Sequence, residues 1–298
     1  MLINKNMIKP KKPLKDISFK DIKNYFLKNR FKIKKNIKVY NDLPKRMFLE
    51  MKPVFVVSTG RSGTKLLTKL LKMSKIGNVF HELKPNMIFS SKLAYEMNLN
   101  IDSKKIAYLS ARYDALKQSF LEDKRFVETN NRNSFFISAL YSLFPNAKFI
   151  HLIRHPGDFV RSGLNRNYYN GNENDDGRIT PLKNDKIFNI WNDLDDLEKI
   201  AWLWNTTNTF IKSESKNIDF ENFLSIKSED LFSDVKIYNK ICSFLNCPPM
   251  SETKIFNIIK KPINKQKQSR YSKWSEWSNE EKSILMKLTP LGKAYGYW

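Results

Sequence analysis

Histidine and cysteine are scarce in this 298-residue chain, at three and two residues. Cys242 and Cys247 have no histidine near them, which excludes a zinc site built on them. Cys242 falls on an apolar helical face and reads as core. Thiols this few suit a reducing compartment. No apolar run approaches the roughly 18 residues that a membrane span needs. The first residues lack the apolar core of a secretory signal. Together these absences predict a soluble, cytoplasmic protein. Acidic residues are also short, with 30 Asp and Glu against 53 Lys and Arg, a net charge of +23. Lys outnumbers Arg, and Asn and Ile are abundant, so part of this excess reflects a compositional bias. The remainder draws anionic ligands towards the protein. The basic residues are scattered and no nucleic-acid-binding module is recognisable, so nucleic acid is not the expected partner.

What the chain does contain is a phosphate grip. Val54 to Val57 read as a buried strand. Leu66, Leu67, Leu70 and Leu71 repeat at helical spacing. Between them lies Gly60-Arg-Ser-Gly-Thr-Lys65. Gly60 and Gly63 let the backbone turn tightly and approach a ligand. The first N–H groups of the following helix have no internal partner and favour negative charge. Arg61, Ser62, Thr64 and Lys65 add side-chain donors. The nucleotide loop G-x-x-x-x-G-K-[ST] is not matched: no Lys follows Gly63 directly, and Leu66 follows Lys65 where a Mg²⁺-binding hydroxyl would stand.

A second strand, Lys148 to Ile153, runs into Arg154-His-Pro-Gly-Asp-Phe-Val-Arg-Ser162. Pro156 suits a helix start, and Asp158 suits its first turn. Arg154 at the strand end and Ser162 two helical turns later can converge on one monophosphate, since a guanidinium pairs two oxygens at once.

With both motifs in place, the chain resembles the sulfotransferases that use 3′-phosphoadenosine 5′-phosphosulfate (PAPS). Gly60 to Leu67 is similar to their 5′-phosphosulfate loop, and Arg154 to Ser162 to their 3′-phosphate motif. Ile226-Lys-Ser-Glu-Asp-Leu231 resembles a strand end leading into a helix. Lys273 to Trp277, the helix after Ser278 and the terminal Gly296-Tyr297 resemble the family's closing segment. The likeness spans about residues 53 to 298 and looks nearer to the bacterial and Golgi-type branch than to the cytosolic one. It implies an α/β three-layer sandwich with a mainly parallel central sheet. It also implies sulfuryl transfer from PAPS to an acceptor hydroxyl, with 3′-phosphoadenosine 5′-phosphate (PAP) as product and no metal required. A carbohydrate hydroxyl is the leading acceptor, an anionic carbohydrate included, with peptide tyrosine, a lipid and a small metabolite left open. A kinase-like phosphotransferase and a non-catalytic module binding anionic glycans are the rival readings.

The resemblance also assigns roles. Glu82, in Val79-Phe-His-Glu82, is the expected base, with His81 as its rival and Glu128 behind them. Arg61 stabilises the leaving group, and Lys65 shares that load. The backbone of Ser62 to Lys65 holds the 5′-phosphate, and Arg154 and Ser162 hold the 3′-phosphate. Arg270 and Lys273 are expected to close over the cofactor. His151 and His155, beside Arg154, are expected to be structural.

Residues 1–50 form a Lys-rich extension in which Asp16 caps a helix carrying Ile17, Ile22, Phe26 and Phe31. Residues 51–298 form the sulfotransferase domain. Residues 84–145 read as helices and loops, 165–185 as a polar loop, and Trp191 to Ile211 as one helix. Ser278 and Glu281 form a capping box.

Overall fold

The computed structural model describes residues 42–260 and 269–298. The helix expected around Asp16 to Phe31 lies outside them. Five strands, β1 Val54–Ser58, β2 Gly77–His81, β3 Arg125–Thr129, β4 Lys148–Ile153 and β5 Phe223–Lys227, pair in parallel in the order β2-β3-β1-β4-β5. The helices in chain order are α1 Leu43–Glu50, α2 Thr64–Met73, α3 Ile88–Glu96, α4 Ile101–Leu121, α5 Ile137–Leu143, α6 Pro156–Leu164, α7 Asp196–Glu214, α8 Ser228–Ser233, α9 Val235–Phe244, α10 Glu252–Ile259, α11 Asn279–Leu288 and α12 Leu291–Ala294. The result is the expected α/β sandwich, with every strand of the sheet parallel.

Side chains alternate across a strand, and the sheet divides its core accordingly. Val54 and Val56 join Leu66, Leu67 and Leu70 of α2 and Ile241 of α9 on one face. Phe55 and Val57 join Phe126, Phe144, Phe149 and Trp204 on the other. Helix α1 packs on this second layer through Leu43 and Met47, so the described part of the lead is continuous with the core.

Two expectations need correction. Residues 84–145 are not all helix and loop, because Arg125–Thr129 forms β3, inside the sheet between β2 and β1. Glu128 breaks its apolar run, and this hid the strand. The carboxylate is tolerated because α4 supplies partners: Arg112 Nε and Tyr108 Oη each donate to it at 2.8 Å. Second, α7 starts at Asp196 rather than Trp191, where Asp195 and Glu198 form a reciprocal capping box. Trp191 stays outside and packs edge-on against Trp202. The Ser278–Glu281 box opens α11 as expected.

Strands β1 and β4 are neighbours, yet α2 leaves β1 for one face and α6 leaves β4 for the other. A crevice therefore opens at their carboxyl ends, where parallel sheets bind ligands.

Candidate active site

The loop from Ser58 to Thr64 curls because three residues take left-handed backbone: Gly60 at φ +83°, Arg61 at +55° and Gly63 at +83°. Short side chains lock the curl. Ser58 Oγ accepts from the Gly60 N–H at 3.0 Å, and the Ser62 hydroxyl donates to the Gly60 carbonyl at 2.9 Å. Below the loop, the Ser134 hydroxyl donates to the Ser58 carbonyl and accepts from its N–H, both at 3.0 Å. The turn is thereby fixed with the N terminus of α2 facing the crevice, a ready site for an anion.

Across the crevice, Arg154 closes β4. One of its Nη atoms donates to the carbonyl of Arg61 at 2.8 Å. Burial lowers the Arg154 pKa from its usual value, and Arg61 and Arg161 nearby add to this. Ser162 lies on α6 behind this pair. Its hydroxyl oxygen accepts from Arg166 at 3.0 Å, and Arg61 Nε approaches it at 3.5 Å. The two phosphate motifs are thus one hydrogen-bonded unit, although 93 positions separate Arg61 from Arg154.

The β5–α8 corner braces both halves. The Ser228 hydroxyl donates to the Ser62 carbonyl at 2.8 Å. Glu229 accepts from the His155 N–H at 2.9 Å and from the Tyr297 hydroxyl at 3.0 Å. This gives a physical task to Ser228-Glu229 and to the terminal Gly-Tyr. His155 caps α6 by accepting from the Gly157 N–H and stacks on Trp274, and burial pushes its pKa down to about 4. His151 is fully enclosed beside Asn208.

The crevice widens into a cavity of about 1040 Å³ lined by residues from all these elements. Gly60, Arg61, Gly63, Thr64, Lys65 and Arg154 face it. His81 and Glu82 reach it from the end of β2, and Asn131 and Arg132 from the end of β3. Arg166, Tyr168, Asn172 and Arg178 reach it from the segment after α6. Glu82 has left-handed backbone, φ +48°, and an exposed carboxylate. That carboxylate lies 3.8 Å from His81 Nε2. His81 Nδ1 lies 3.1 Å from the Thr129 carbonyl and 2.9 Å from its hydroxyl. Burial lowers the His81 pKa despite the neighbouring carboxylate.

The loop residues, Arg154, His81 and Glu82 are therefore brought together, with Ser62 and Ser162 buried against them. Arg270 and Lys273 are not on the cavity wall. Arg270 is held by its N–H to Asn165, and Lys273 precedes the short turn that bears Trp274. Glu128 is enclosed with Arg112, away from the cavity. Sequence reasoning missed Arg132, Arg166 and Arg178. Only Arg166 left a signal, four positions after Ser162.

The sulfotransferase family profile matches residues 53–252. This chain belongs to the sulfotransferase family. The sulfotransferase from Alicyclobacillus acidocaldarius has the same fold at 15% identity, with 82% of this chain and 93% of that chain aligned at a TM-score of 0.50. The sulfotransferase STF9 from Mycobacterium avium aligns at 12% identity over 93% of this chain and 81% of that chain, with a TM-score of 0.49. Mouse sulfotransferase SULT7A1, complexed with PAP, aligns at 13% identity over 87% and 94%, with a TM-score of 0.43. No curated protein matches the sequence. Among the described residues, no helix is long and apolar enough to cross a membrane.

Proposed function

We propose that this sulfotransferase moves the sulfuryl group of PAPS to an acceptor hydroxyl, most simply one on a carbohydrate. The observation that carries the reading is the Arg154–Arg61 hydrogen bond. It joins two anion-binding elements at the ends of adjacent strands, as a nucleotide phosphorylated at both 3′ and 5′ positions requires. Backbone N–H groups of Ser62 to Lys65 hold the 5′-phosphate. Arg154 holds the 3′-phosphate, with Ser162 and Arg166 beside it.

In the reaction, the acceptor oxygen bonds to sulfur as the bond from sulfur to the 5′-phosphate oxygen breaks. Glu82 takes the hydroxyl proton, and PAP leaves. Arg61 and Lys65 stabilise the charge that gathers on the departing phosphate. An arginine does this by charge and hydrogen bonding, since it does not give up its proton. His81, held by Thr129 and with its pKa lowered by burial, stands beside Glu82 and limits where its carboxylate rests. Asn86 and Asn131 on the wall supply amide donors and acceptors suited to sugar hydroxyls. We also propose that residues 51–298 form the sulfotransferase domain, with α1 of the preceding segment packed on it through Leu43 and Met47.

The test is transfer of labelled sulfate from PAPS to polysaccharide and small-molecule fractions. Labelled carbohydrate supports the reading. Label only in other fractions replaces the acceptor, and no PAP binding by calorimetry removes the cofactor assignment.

A further inference from the structure

We infer that the acceptor carries an anionic group, a carboxylate or a sulfate or phosphate ester, which docks on Arg132 beside the hydroxyl to be modified. The inference rests on the reading of the cavity as a PAPS and acceptor site.

The cavity's arginines fall into two sets. Arg61, Arg154 and Arg166 are close enough to disfavour one another's charge. They surround the position of the two phosphates. Arg132 and Arg178 form the second set, near each other and near Tyr168. Arg132 follows β3 and Arg154 follows β4, with β1 between them. Two strand spacings put these elements roughly 10 Å apart, which is the width of a sugar ring and its substituents.

The members of the second set differ. Arg178 is already neutralised: its Nε pairs with Asp175 at 2.6 Å, one Nη donates to Asn172 at 2.8 Å, and its guanidinium lies 3.3 Å from the centre of the Tyr168 ring. Arg132 has no carboxylate within ion-pair distance among the described residues. One Nη donates to the Gly177 carbonyl at 2.9 Å and reaches the Ser91 hydroxyl at 3.5 Å. Among the described residues, its Nε and its other Nη have no hydrogen-bond partner. Those two N–H groups form the edge of the guanidinium that binds an oxyanion through parallel hydrogen bonds. Burial and the nearby Arg178 push the Arg132 pKa down to about 10, so the site pays for holding this charge and an anion would relieve the cost. The carboxylates on the wall have other positions: Glu173 accepts from Asn174, and Glu82 lies beside His81. An acceptor anchored by this fork would present a neighbouring hydroxyl to Glu82.

The experiment uses the full chain. PAP is titrated first by calorimetry, and a protein that binds no PAP defeats the nucleotide reading by itself. The PAP-saturated protein is then titrated with glucuronate, with glucose 6-sulfate and with glucose as the neutral control. We expect saturable binding of one or both anionic sugars, at least ~10-fold tighter than glucose, as expected for a charge-assisted pair of hydrogen bonds. We expect Arg132→Gln to remove that advantage while PAP affinity is unchanged. The glucuronate and glucose 6-sulfate arms tell a carboxylate anchor from an ester anchor. If Arg132→Gln does not fold, Arg132→Lys decides, because it keeps the charge and loses the fork, and the advantage should shrink. Equal binding of all three sugars to the native protein, or an advantage that survives both substitutions, overturns the inference.

Discussion

Arg154 at the end of β4 donates a hydrogen bond to the carbonyl of Arg61 at 2.8 Å, so the guanidinium proposed to hold the 3′-phosphate also holds the loop proposed to grip the 5′-phosphate. The double role shapes what its loss will do. Arg154→Ala should weaken PAP binding by at least ~30-fold, the scale for truncating one partner of a buried charged pair. It should also weaken adenosine 5′-phosphosulfate, which lacks the 3′-phosphate, but by a smaller factor, because Arg61 loses its anchor. Calorimetry with both ligands checks this. Equal losses would mean that Arg154 acts only through the loop.

Glu82→Gln should cut turnover by ~10²-fold or more, in the range for loss of a general base, and leave PAP affinity near normal. The residue has an exposed side chain on the cavity wall, so its amide would disturb little. His81→Asn with Glu82 intact should retain most of the turnover. Initial rates with labelled PAPS settle both, and full activity in Glu82→Gln would transfer the role to His81.

The sequence made the phosphate loop and the Arg154 motif legible because each combines a short apolar strand with residues of restricted use, Gly at left-handed turns and Pro at a helix start. β3 was not legible. Its five residues carry Glu128, whose partners Arg112 and Tyr108 stand 16 and 20 positions back on α4, and no short-range pattern announces such a pairing. Arg132 and Arg178 were missed for a related reason. They enter the cavity from a short 3₁₀ turn and a loop, where no period marks which way a side chain faces. Arg270 and Lys273, basic residues in the right order along the chain, lie off the cavity wall, and their closing over the cofactor stands as a proposal.

Gly63 tests the loop. It sits at φ +83°, and an added Cβ would meet the Phe232 ring at 2.9 Å. Gly63→Ala should destabilise the fold by about 1–2 kcal/mol through left-handed backbone strain alone, with the contact adding to it. PAP affinity should fall as the loop opens. Phe232→Ala in the same chain should recover the steric part and not the strain. Thermal unfolding with and without PAP separates the two.

His151 makes stability depend on pH. It is fully enclosed, and burial lowers its pKa to about 4. Asn208 is oriented by donating its amide to the Trp204 carbonyl, so its oxygen accepts from His151 Nε2 at 2.9 Å and fixes a neutral tautomer. The folded state thus resists a proton that the unfolded state accepts at its ordinary pKa near 6.5. This contribution is fully present above about pH 6.5 and is lost as pH falls towards 4, to a total of about 3 kcal/mol. Urea unfolding across that window should show the slope, and His151→Gln should remove about one proton's worth of it. An unchanged slope would place the titration elsewhere.

The Arg112–Glu128 pair predicts a loss of stability with no loss of chemistry. Both side chains are fully enclosed, at 2.8 Å, and Tyr108 at 2.8 Å and Asn130 Nδ2 at 3.2 Å also donate to the carboxylate. One Nη of Arg112 is buried without a partner already. Glu128→Ala would leave that cation alone in the core and should cost about 3–5 kcal/mol. Glu128→Gln keeps an acceptor for Tyr108 and should cost less. Replacing Arg112 and Glu128 together by Met and Leu should cost less than Glu128→Ala, because no charge is then stranded. Urea unfolding orders the three variants. The folded fraction of each should transfer sulfate at the native rate, since neither residue reaches the cavity, and a rate that falls with Glu128 in a well-folded variant would return this residue to the list of bases.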